Sequence, residues 1–258
     1  MDLRRGLDVS TSLLASQLRG WRGTAAFRPA KLQPEKPLEL YEYEASPYCR
    51  LVREALTELD LDAVIHPCPR GGKRFRPRVQ ELGGRQQYPF LVDPNTGTSL
   101  YESGDIVSYV AKTYDGRVRN AAGARRGGAV GMAFLASCAR GYAGFRGYRA
   151  RASKAPAQPL ELYSFESSPF SRLAREALCE LELPYLLRNT GKGTWTDMGP
   201  PSVRDRWHKA RPDTNRNRKR LFERAGQVQV PYLVDPNTGT EMFESAAIVD
   251  YLERTYAA

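Results

Sequence analysis

The chain repeats one unit twice, and this repeat constrains its fold more than any other feature. "PLELYEYEASPYCRLVREALTELDL" (37–61) aligns with "PLELYSFESSPFSRLAREALCELEL" (159–183) at a constant offset of 122 residues. "YPFLVDPNTGTSLYESGDIVSYV" (88–110) aligns with "VPYLVDPNTGTEMFESAAIVDYL" (230–252) at an offset of 142, so the second copy contains an insertion of 20 residues. We therefore expect two domains of the same fold.

A leader resembling a short helix precedes each copy. "LLASQLRGWRG" (13–23) is similar to "FLASCARGYAG" (134–144), and a basic connector follows each. The N-terminal leader is rich in Arg and Ser like a targeting peptide, but it carries Asp2 and Asp8 and recurs within the chain. We therefore expect it to be part of the mature protein. The predicted parts are an N-terminal helix and basic connector (1–36), a first domain (37–115), a basic linker with an apolar helix (116–158) and a second domain (159–258) with a basic insertion at about 188–219.

Within each copy the apolar pattern predicts an α/β fold with the order β-α-β-α-β-β-α. "LELYEY" (38–43) alternates like a strand, and Ser46 with Pro47 is typical of a helix start. Both "DPNTG" segments predict a tight turn between the last two strands. The first two strands, joined through a helix, should be parallel, and the last two antiparallel.

The net charge of +10 is concentrated in the connecting segments. Residues 116–158 contain nine Arg or Lys and no acidic residue, whereas residues 159–258 sum to zero. Such a stretch is typical of a solvated linker, but it also attracts nucleic acid or anionic lipid. The apolar run 127–139 is too short to span a bilayer; it can lie at a membrane interface with Arg140 and Arg146 facing water.

The insertion around 188–219 and its flanks are also basic and contain Trp195 and Trp207. This composition suits single-stranded nucleic acid or a membrane interface, but we rank a loop that docks a protein partner above both. Metal binding is not expected, because the four cysteines show no CxxC spacing and the only histidines are His66 and His208. The same cysteine usage fits a reducing compartment.

The repeated motifs resemble a known family. The S-P-[YF]-x-x-x-x-R-E motif, the [YV]-P-[FY]-L-V-D strand start and the E-S pair resemble the thioredoxin-like N-terminal domain of glutathione transferases and glutaredoxins. The two-copy layout, "PCPRG" (67–71) and both "DPNTG" turns resemble a plastid protein group of plants and algae. The resemblance implies two tandem thioredoxin-like domains, glutathione or a protein thiol as a partner, and a chloroplast location.

The resemblance also implies a glutathione site in each domain. In the family a cis-proline peptide exposes backbone groups to the cysteine of glutathione, and a Glu-Ser pair at a helix start holds the γ-glutamyl end. The first copy places these features at Tyr88–Pro89 and Glu102–Ser103. The second copy places them at Val230–Pro231 and Glu244–Ser245. The alternative is that Ser103 and Ser245 only cap their helices.

The thiol of glutaredoxins is missing from both copies. Ser46 and Ser168 occupy the position of the attacking cysteine, and a hydroxyl cannot exchange disulfides, so the dithiol cycle is excluded. Three alternatives remain: the serines hydrogen-bond a glutathione thiolate as in several transferase classes, they only cap helices, or Cys49 acts as a monothiol. Cys68 is a possible partner thiol for Cys49, although both can also be inert buried thiols.

Two hypotheses about function follow. The first is a glutathione-binding glutaredoxin-like or transferase-like protein with weak or lost redox activity, active, if at all, as a transferase or a monothiol oxidoreductase. The second is a non-catalytic interaction module that uses the thioredoxin fold as a scaffold. Binding of nucleic acid or anionic lipid through the basic segments ranks third.

Overall fold

The computed structural model describes residues 3–116, 124–141, 146–199 and 214–258. Two leader helices, α1 (Leu3–Leu18) and α5 (Ala124–Gly141), precede the two domains. The first domain contains β1 (Leu38–Glu42), α2 (Pro47–Glu58), β2 (Ala63–Pro67), α3 (Arg76–Gly83), β3 (Phe90–Asp93), β4 (Thr98–Tyr101) and α4 (Ser103–Asp115). The second contains β5 (Leu160–Ser164), α6 (Pro169–Glu180), β6 (Tyr185–Asn189), a 3-10 turn (Trp195–Asp197), α7 (Arg216–Ala225), β7 (Tyr232–Asp235), β8 (Thr240–Phe243) and α8 (Ser245–Tyr256). The predicted order β-α-β-α-β-β-α is confirmed in both domains.

The repeated Ser-Pro dipeptide starts a helix in each domain. Ser46 is extended, and its Oγ accepts a hydrogen bond from the backbone N–H of Cys49 at 3.2 Å. Pro47 takes the first helical position, where no N–H is needed. Ser168 accepts from the N–H of Ser171 at the same distance. Both serines therefore cap helices.

The eight described strands form one continuous sheet in the order β4-β3-β1-β2-β6-β5-β7-β8. As predicted, β1 and β2 are parallel and β3 and β4 antiparallel, with the same arrangement in the second domain. At the centre, β2 pairs antiparallel with β6, so that Val64 lies opposite Leu186. Without this pairing, β2 and β6 would each be an unpaired edge strand of its own domain, so the pairing covers both edges. The two domains also share one apolar core cluster.

The leader helices are exchanged between the units. Helix α1 packs against α6 and α5 packs against α2, while α1 and α5 also pack against each other. Ser16 at the end of α1 donates to the Ser167 carbonyl at 2.7 Å. After α5, the Gly147 carbonyl accepts from Ala45 N–H at 3.2 Å. Gly147 has φ +70°, and a Cβ there would lie only 2.8 Å from the Cβ of Glu44. The connector therefore contacts the first domain so closely that this position requires glycine.

Helix α5 contains the predicted apolar run, but the prediction that Arg140 faces water is wrong. Arg140 does not face water; it is 2% exposed, and its Nε donates to the Glu176 carboxylate at 2.7 Å. The small residues Ala133 and Ala136 are buried, whereas Phe134 is exposed. None of the helices in the described segments combines the length and the apolar character needed to span a bilayer.

The aspartate of each "DPNTG" turn hydrogen-bonds to tyrosines of the last helix in its domain. Asp93 is fully buried and accepts from the hydroxyls of Tyr109 at 2.7 Å and Tyr114 at 2.6 Å, both on α4. Asp235 accepts from Tyr251 and Tyr256 at the same distances. Burial opposes ionisation, but the tyrosine hydrogen bonds lower the pKa of both aspartates. The repeated turn therefore fastens the last helix of each domain to the sheet.

Seven ionisable side chains, which we call the charge cluster, lie buried where the domains meet, each at most 3% exposed. Its members are Glu42, Glu44, Arg50, Arg53, Glu166, Arg172 and Arg175. Arg53 Nε donates to Glu166 at 2.8 Å, and Arg175 Nε donates to Glu44 at 3.1 Å. Each bond crosses from one domain to the other. The cluster therefore ties the domains together with charged hydrogen bonds.

The charge cluster is asymmetric at one position. Glu42 of the first domain bonds to Arg53, whereas its counterpart Ser164 accepts from Arg175 Nη1 at 2.9 Å. Burial raises the pKa of Glu42 to about 7, with Arg53 opposing and Glu44 adding to the shift. Glu42 is therefore the group of this cluster that changes charge near neutral pH.

This pKa predicts a pH effect on stability. The folded chain holds the Glu42 proton more tightly than the unfolded chain, in which a glutamate titrates at about 4.3. The stability contribution of Glu42 therefore falls as pH rises from about 4.3 to about 7 and is constant above that range. Glu42→Gln mimics the protonated form, so we expect its stability relative to wild type to increase over the same interval. Urea unfolding of both proteins at several pH values measures the difference in their free energies of unfolding. A difference that does not change with pH would contradict the raised pKa of Glu42.

Candidate functional site

A polar cavity of about 630 Å³, here called site 1, lies in the first domain. It is placed at the N-terminal ends of α2 and α4, next to the start of β3. Its wall includes Tyr88, Pro89, Glu102 and Ser103. The structure thus brings together in one cavity the four first-domain residues that the resemblance implies.

The two expected proline peptides, Tyr88–Pro89 and Val230–Pro231, are both cis. Each directly precedes an inner strand of the sheet. Among the described residues, neither Tyr88 nor Val230 uses its backbone N–H in a hydrogen bond to another backbone group. In site 1 this N–H is available to an extended peptide ligand, which pairs with exposed backbone much as an added strand does.

The Glu-Ser pair of site 1 lies at the start of α4. Glu102 has φ +63°, and its carbonyl accepts from the N–H groups of Asp105 and Ile106. The two preceding N–H groups, of Ser103 and Gly104, are therefore at the open end of the helix, where partial positive charge favours an anion. The Gln87 amide donates to the Glu102 carboxylate. This arrangement suits a ligand that carries both a carboxylate and an amine.

Site 1 also contains cationic and phenolic side chains that the sequence did not single out. The Arg76 guanidinium lies 4.9 Å from the Tyr88 ring centroid, and Arg70 Nη1 donates to the Tyr148 hydroxyl at 3.2 Å. Tyr43 completes this side of the cavity. Burial raises the pKa of Tyr43, so its phenol keeps its proton and can donate a hydrogen bond.

The residues at the glutaredoxin-like position are poorly exposed. Ser46 is 1% exposed and Cys49 is fully buried. Burial, and then the nearby Glu42 carboxylate, raise the pKa of Cys49 to about 12. Because the thiolate is the nucleophile, this environment disfavours monothiol chemistry at Cys49.

Cys68, the possible partner thiol, directly follows β2 and is also fully buried. Burial raises the pKa of its thiol well above the ordinary value. Cys49 and Cys68 are both free thiols. A redox partnership between them stays a prediction, and their surroundings are those of packing residues.

A second cavity of about 770 Å³ adjoins site 1 and shares Tyr43 and Tyr148 with it. Pro47, at the first turn of α2, forms part of its wall. Phe134 and Cys138 of α5 form the helical side. The exchanged leader helix therefore supplies a helical wall beside the α2 N-terminus.

The placement of the cysteines predicts one reactive thiol. Cys138 is exposed, whereas Cys49, Cys68 and Cys179 are at most 2% exposed. We expect Cys138 to react with a maleimide in the native chain at least about tenfold faster than the other three, since burial both shields them and keeps them protonated. Timed labelling and mass spectrometry measure this. Cys138→Ser should abolish the fast phase; a fast phase that persists would contradict the burial of the other thiols.

The second domain repeats the local geometry of the Glu-Ser pair, since Glu244 has φ +70° and the Gln229 amide donates to its carboxylate, as the Gln87 amide does to Glu102. Its cavity, here called site 2, has a volume of about 420 Å³ and is lined by Ser168 and Val230, but Glu244 and Ser245 are not part of its described wall. Ser245 is 2% exposed, and its Oγ has no hydrogen-bond partner among the described residues. Gln229, which also lines this cavity, links it to the Glu244–Ser245 helix start through its bond to the Glu244 carboxylate.

The described flanks of the insertion are used within the molecule. Arg188 and Arg216 both pair with Asp62 of the first domain, at 3.1 and 2.9 Å. The Trp195 ring lies 4.8 Å from that of Phe27 in the first connector. Trp207 and the centre of the insertion lie outside the described residues, so binding of a partner there stays a prediction.

Comparison with known proteins identifies the family. The family model described as "Glutathione S-transferase, N-terminal domain" matches residues 40–118 and 162–258, which cover both domains. The chain belongs to this family. No curated protein and no solved structure gives a significant match. The chain therefore contains two tandem glutathione transferase N-terminal domains of thioredoxin-like fold, and this family is associated with glutathione binding. Within the described segments, no group of three or more His, Cys, Asp or Glu side chains is placed to hold a metal ion.

Proposed function

We propose that this protein binds glutathione in site 1 and lacks dithiol redox activity. The observation that carries the proposal is the gathering, in one polar cavity, of the cis Tyr88–Pro89 peptide and the Glu102–Ser103 helix start. Membership in the glutathione transferase N-terminal domain family supports the same ligand.

The charges of site 1 are complementary to the tripeptide. The α-carboxylate of the γ-glutamyl residue is placed on Ser103 and the free N–H groups of α4, with its amine toward Glu102. The central cysteine pairs with the backbone of Tyr88. The glycine carboxylate is then directed to the side of the cavity that contains Arg70 and Arg76.

The adjoining cavity favours transferase chemistry as a second candidate function. Its wall at Pro47 and Phe134 leaves room for an electrophile beside the glutathione thiol. Ser46 caps α2, is buried, and hydrogen-bonds with the side chains of Tyr43 and Cys49. Tyr43 and Tyr148 line both cavities and carry phenolic hydroxyls. The non-catalytic scaffold remains the alternative, and the chloroplast location rests on the resemblance alone.

Titration calorimetry with reduced glutathione tests the proposal. We expect the full chain to bind glutathione, and Ser103→Ala to weaken binding by about tenfold, the effect of losing one hydrogen bond to a charged group. Ser245→Ala is the matched control in the second domain and should leave this affinity unchanged.

Two results would count against the proposal. Absence of binding at millimolar glutathione would eliminate site 1 as a glutathione site. Weakening by Ser245→Ala rather than by Ser103→Ala would move the binding to the second domain.

A further inference from the structure

The outer side of the two leader helices is apolar. Residues 9–18 of α1 and 127–139 of α5 contain no charged residue. Six large apolar side chains of these helices, which we call the leader face, are each 38–59% exposed. They are Leu7, Leu13, Leu14, Met132, Phe134 and Leu135. Single exposed apolar residues are ordinary, but six on two helices that pack against each other indicate an interaction surface.

The repeat places apolar residues at the same exposed positions of both helices. Leu13 aligns with Phe134, and Leu14 aligns with Leu135. Contact with water gives no reason to keep large apolar side chains at these positions in both copies, because their exposure is unfavourable. The two helices therefore present equivalent apolar sides.

The segment that contains α5 is positively charged. Residues 116–158 carry nine Arg or Lys and no acidic residue. Three of these, Arg140, Arg146 and Arg151, form ion pairs with acidic residues of other elements. The whole chain keeps a net charge of +10, so acidic residues elsewhere do not cancel the excess. A basic segment around an exposed apolar helix is complementary to a surface that is both apolar and anionic.

We propose that the leader face docks this chain on an anionic lipid membrane. The side chains of Phe134 and Leu135 enter the boundary between headgroups and acyl chains, where burial of apolar surface supplies affinity. The basic residues of 116–158 add electrostatic attraction to the anionic headgroups. Arg140 takes no part, because it is buried and bonded to Glu176. The leader helices thus have a second role beside joining the two domains.

Flotation with vesicles of two compositions tests this inference. The probes are vesicles of phosphatidylcholine alone and vesicles of phosphatidylcholine mixed with phosphatidylglycerol. We expect the full chain to bind the anionic vesicles at low salt at least about tenfold more tightly than the neutral ones. Binding should weaken as the salt concentration rises, because salt screens the attraction between the basic segment and the headgroups.

A pair of leucine variants tests whether the leader face makes the contact. Leu135→Gln should weaken binding to anionic vesicles by about tenfold, because one leucine side chain no longer leaves water. Leu82→Gln is the matched control, since Leu82 is a 40% exposed leucine on α3, and it should leave binding unchanged. Both positions are exposed, and the unfolding midpoint of each variant shows that it is folded.

A fluorophore on Cys138 locates the contact directly. Cys138 is exposed and lies three residues after Leu135, on the same side of α5. We expect an NBD group attached to this thiol to become brighter and to emit at shorter wavelength with anionic vesicles, because it moves from water into the membrane interface. In the double variant Cys138→Ser, Leu82→Cys the same group is on α3, and its emission should not change.

Three outcomes would overturn the inference. The first is no binding to anionic vesicles at low salt. The second is equal binding of Leu135→Gln and Leu82→Gln together with unchanged emission from the fluorophore on Cys138. The third is a dimer of the full chain that Leu135→Gln dissociates in sedimentation experiments, which would assign the leader face to a second copy of the chain. Because glutathione binding is tested separately through Ser103→Ala, failure here leaves the proposed function standing.

Discussion

Glu166→Ala is expected to lower the free energy of unfolding by about 3–5 kcal/mol, the cost of breaking a buried ion pair from one side. Glu166 lies 2.8 Å from Arg53, 3.0 Å from Arg175 and 3.5 Å from Arg50, all buried. Burial opposes its charge, but these arginines hold the pKa of Glu166 well below its usual range. The alanine variant leaves Arg50 without its buried carboxylate partner and removes one of the carboxylates that compensate Arg53 and Arg175, which keep Glu42 and Glu44. Since the total stability of such a chain is about 5–15 kcal/mol, this is a large fraction.

Urea unfolding of wild type and variant measures this effect. Glu81→Ala is the matched control, because Glu81 pairs with Arg78 at 3.2 Å on the surface and such pairs contribute about 0–1 kcal/mol. A loss in Glu166→Ala no larger than that in Glu81→Ala would show that the charge cluster does not hold the domains together.

The isolated first domain, residues 37–115, is expected not to fold. It lacks β6, which covers the edge of β2, and helix α5, which packs on α2. It also retains Arg50 and Arg53 without Glu166, so two guanidinium groups lose a buried carboxylate partner. A domain of this size is marginal even with its whole core.

Circular dichroism and thermal unfolding of the fragment measure this, with the full chain as the reference. We expect the full chain to unfold in one cooperative transition and the fragment to show none, or to aggregate through its open β2 edge. A soluble fragment with a cooperative transition near that of the full chain would contradict the description of the two domains as one folding unit.

The order of elements within each domain was predictable because local signals determine it. Alternation in 38–43, the Ser-Pro helix starts and the "DPNTG" turns each act over a few residues. The cis prolines and the Glu-Ser pairs are implied by the resemblance to the family and not by local patterns. In the structure, Pro89 and the Glu102–Ser103 pair of the first domain line site 1 together.

The relation between the two domains was not predictable, because it depends on contacts between residues far apart in sequence. Arg50 and Arg53 look like an exposed helix face until α2 is covered on that side by the other domain. One signal was available: Glu44, Arg50, Arg53 and Glu54 all recur in the second copy at the same offset. Charged residues retained in both copies indicate a shared internal role.

The wall of site 1 was only partly predictable for the same reason. Arg70 and Arg76 lie in a basic, glycine-containing stretch whose composition is typical of a solvent-exposed loop. Tyr148 comes from the linker, and it reaches site 1 because the connector after α5 runs beside the first domain, with Arg70 bridged to Arg149. No local pattern specifies such a crossing.

The most direct test of the account is hydrogen–deuterium exchange of the full chain with and without millimolar glutathione. We expect the tripeptide to bind only in the first domain, on the backbone of Tyr88 and the first turn of α4. Exchange should therefore be slower in 86–88 and 103–105, and unchanged in 228–230 and 245–247. Protection confined to the second domain, or none in either, would contradict it.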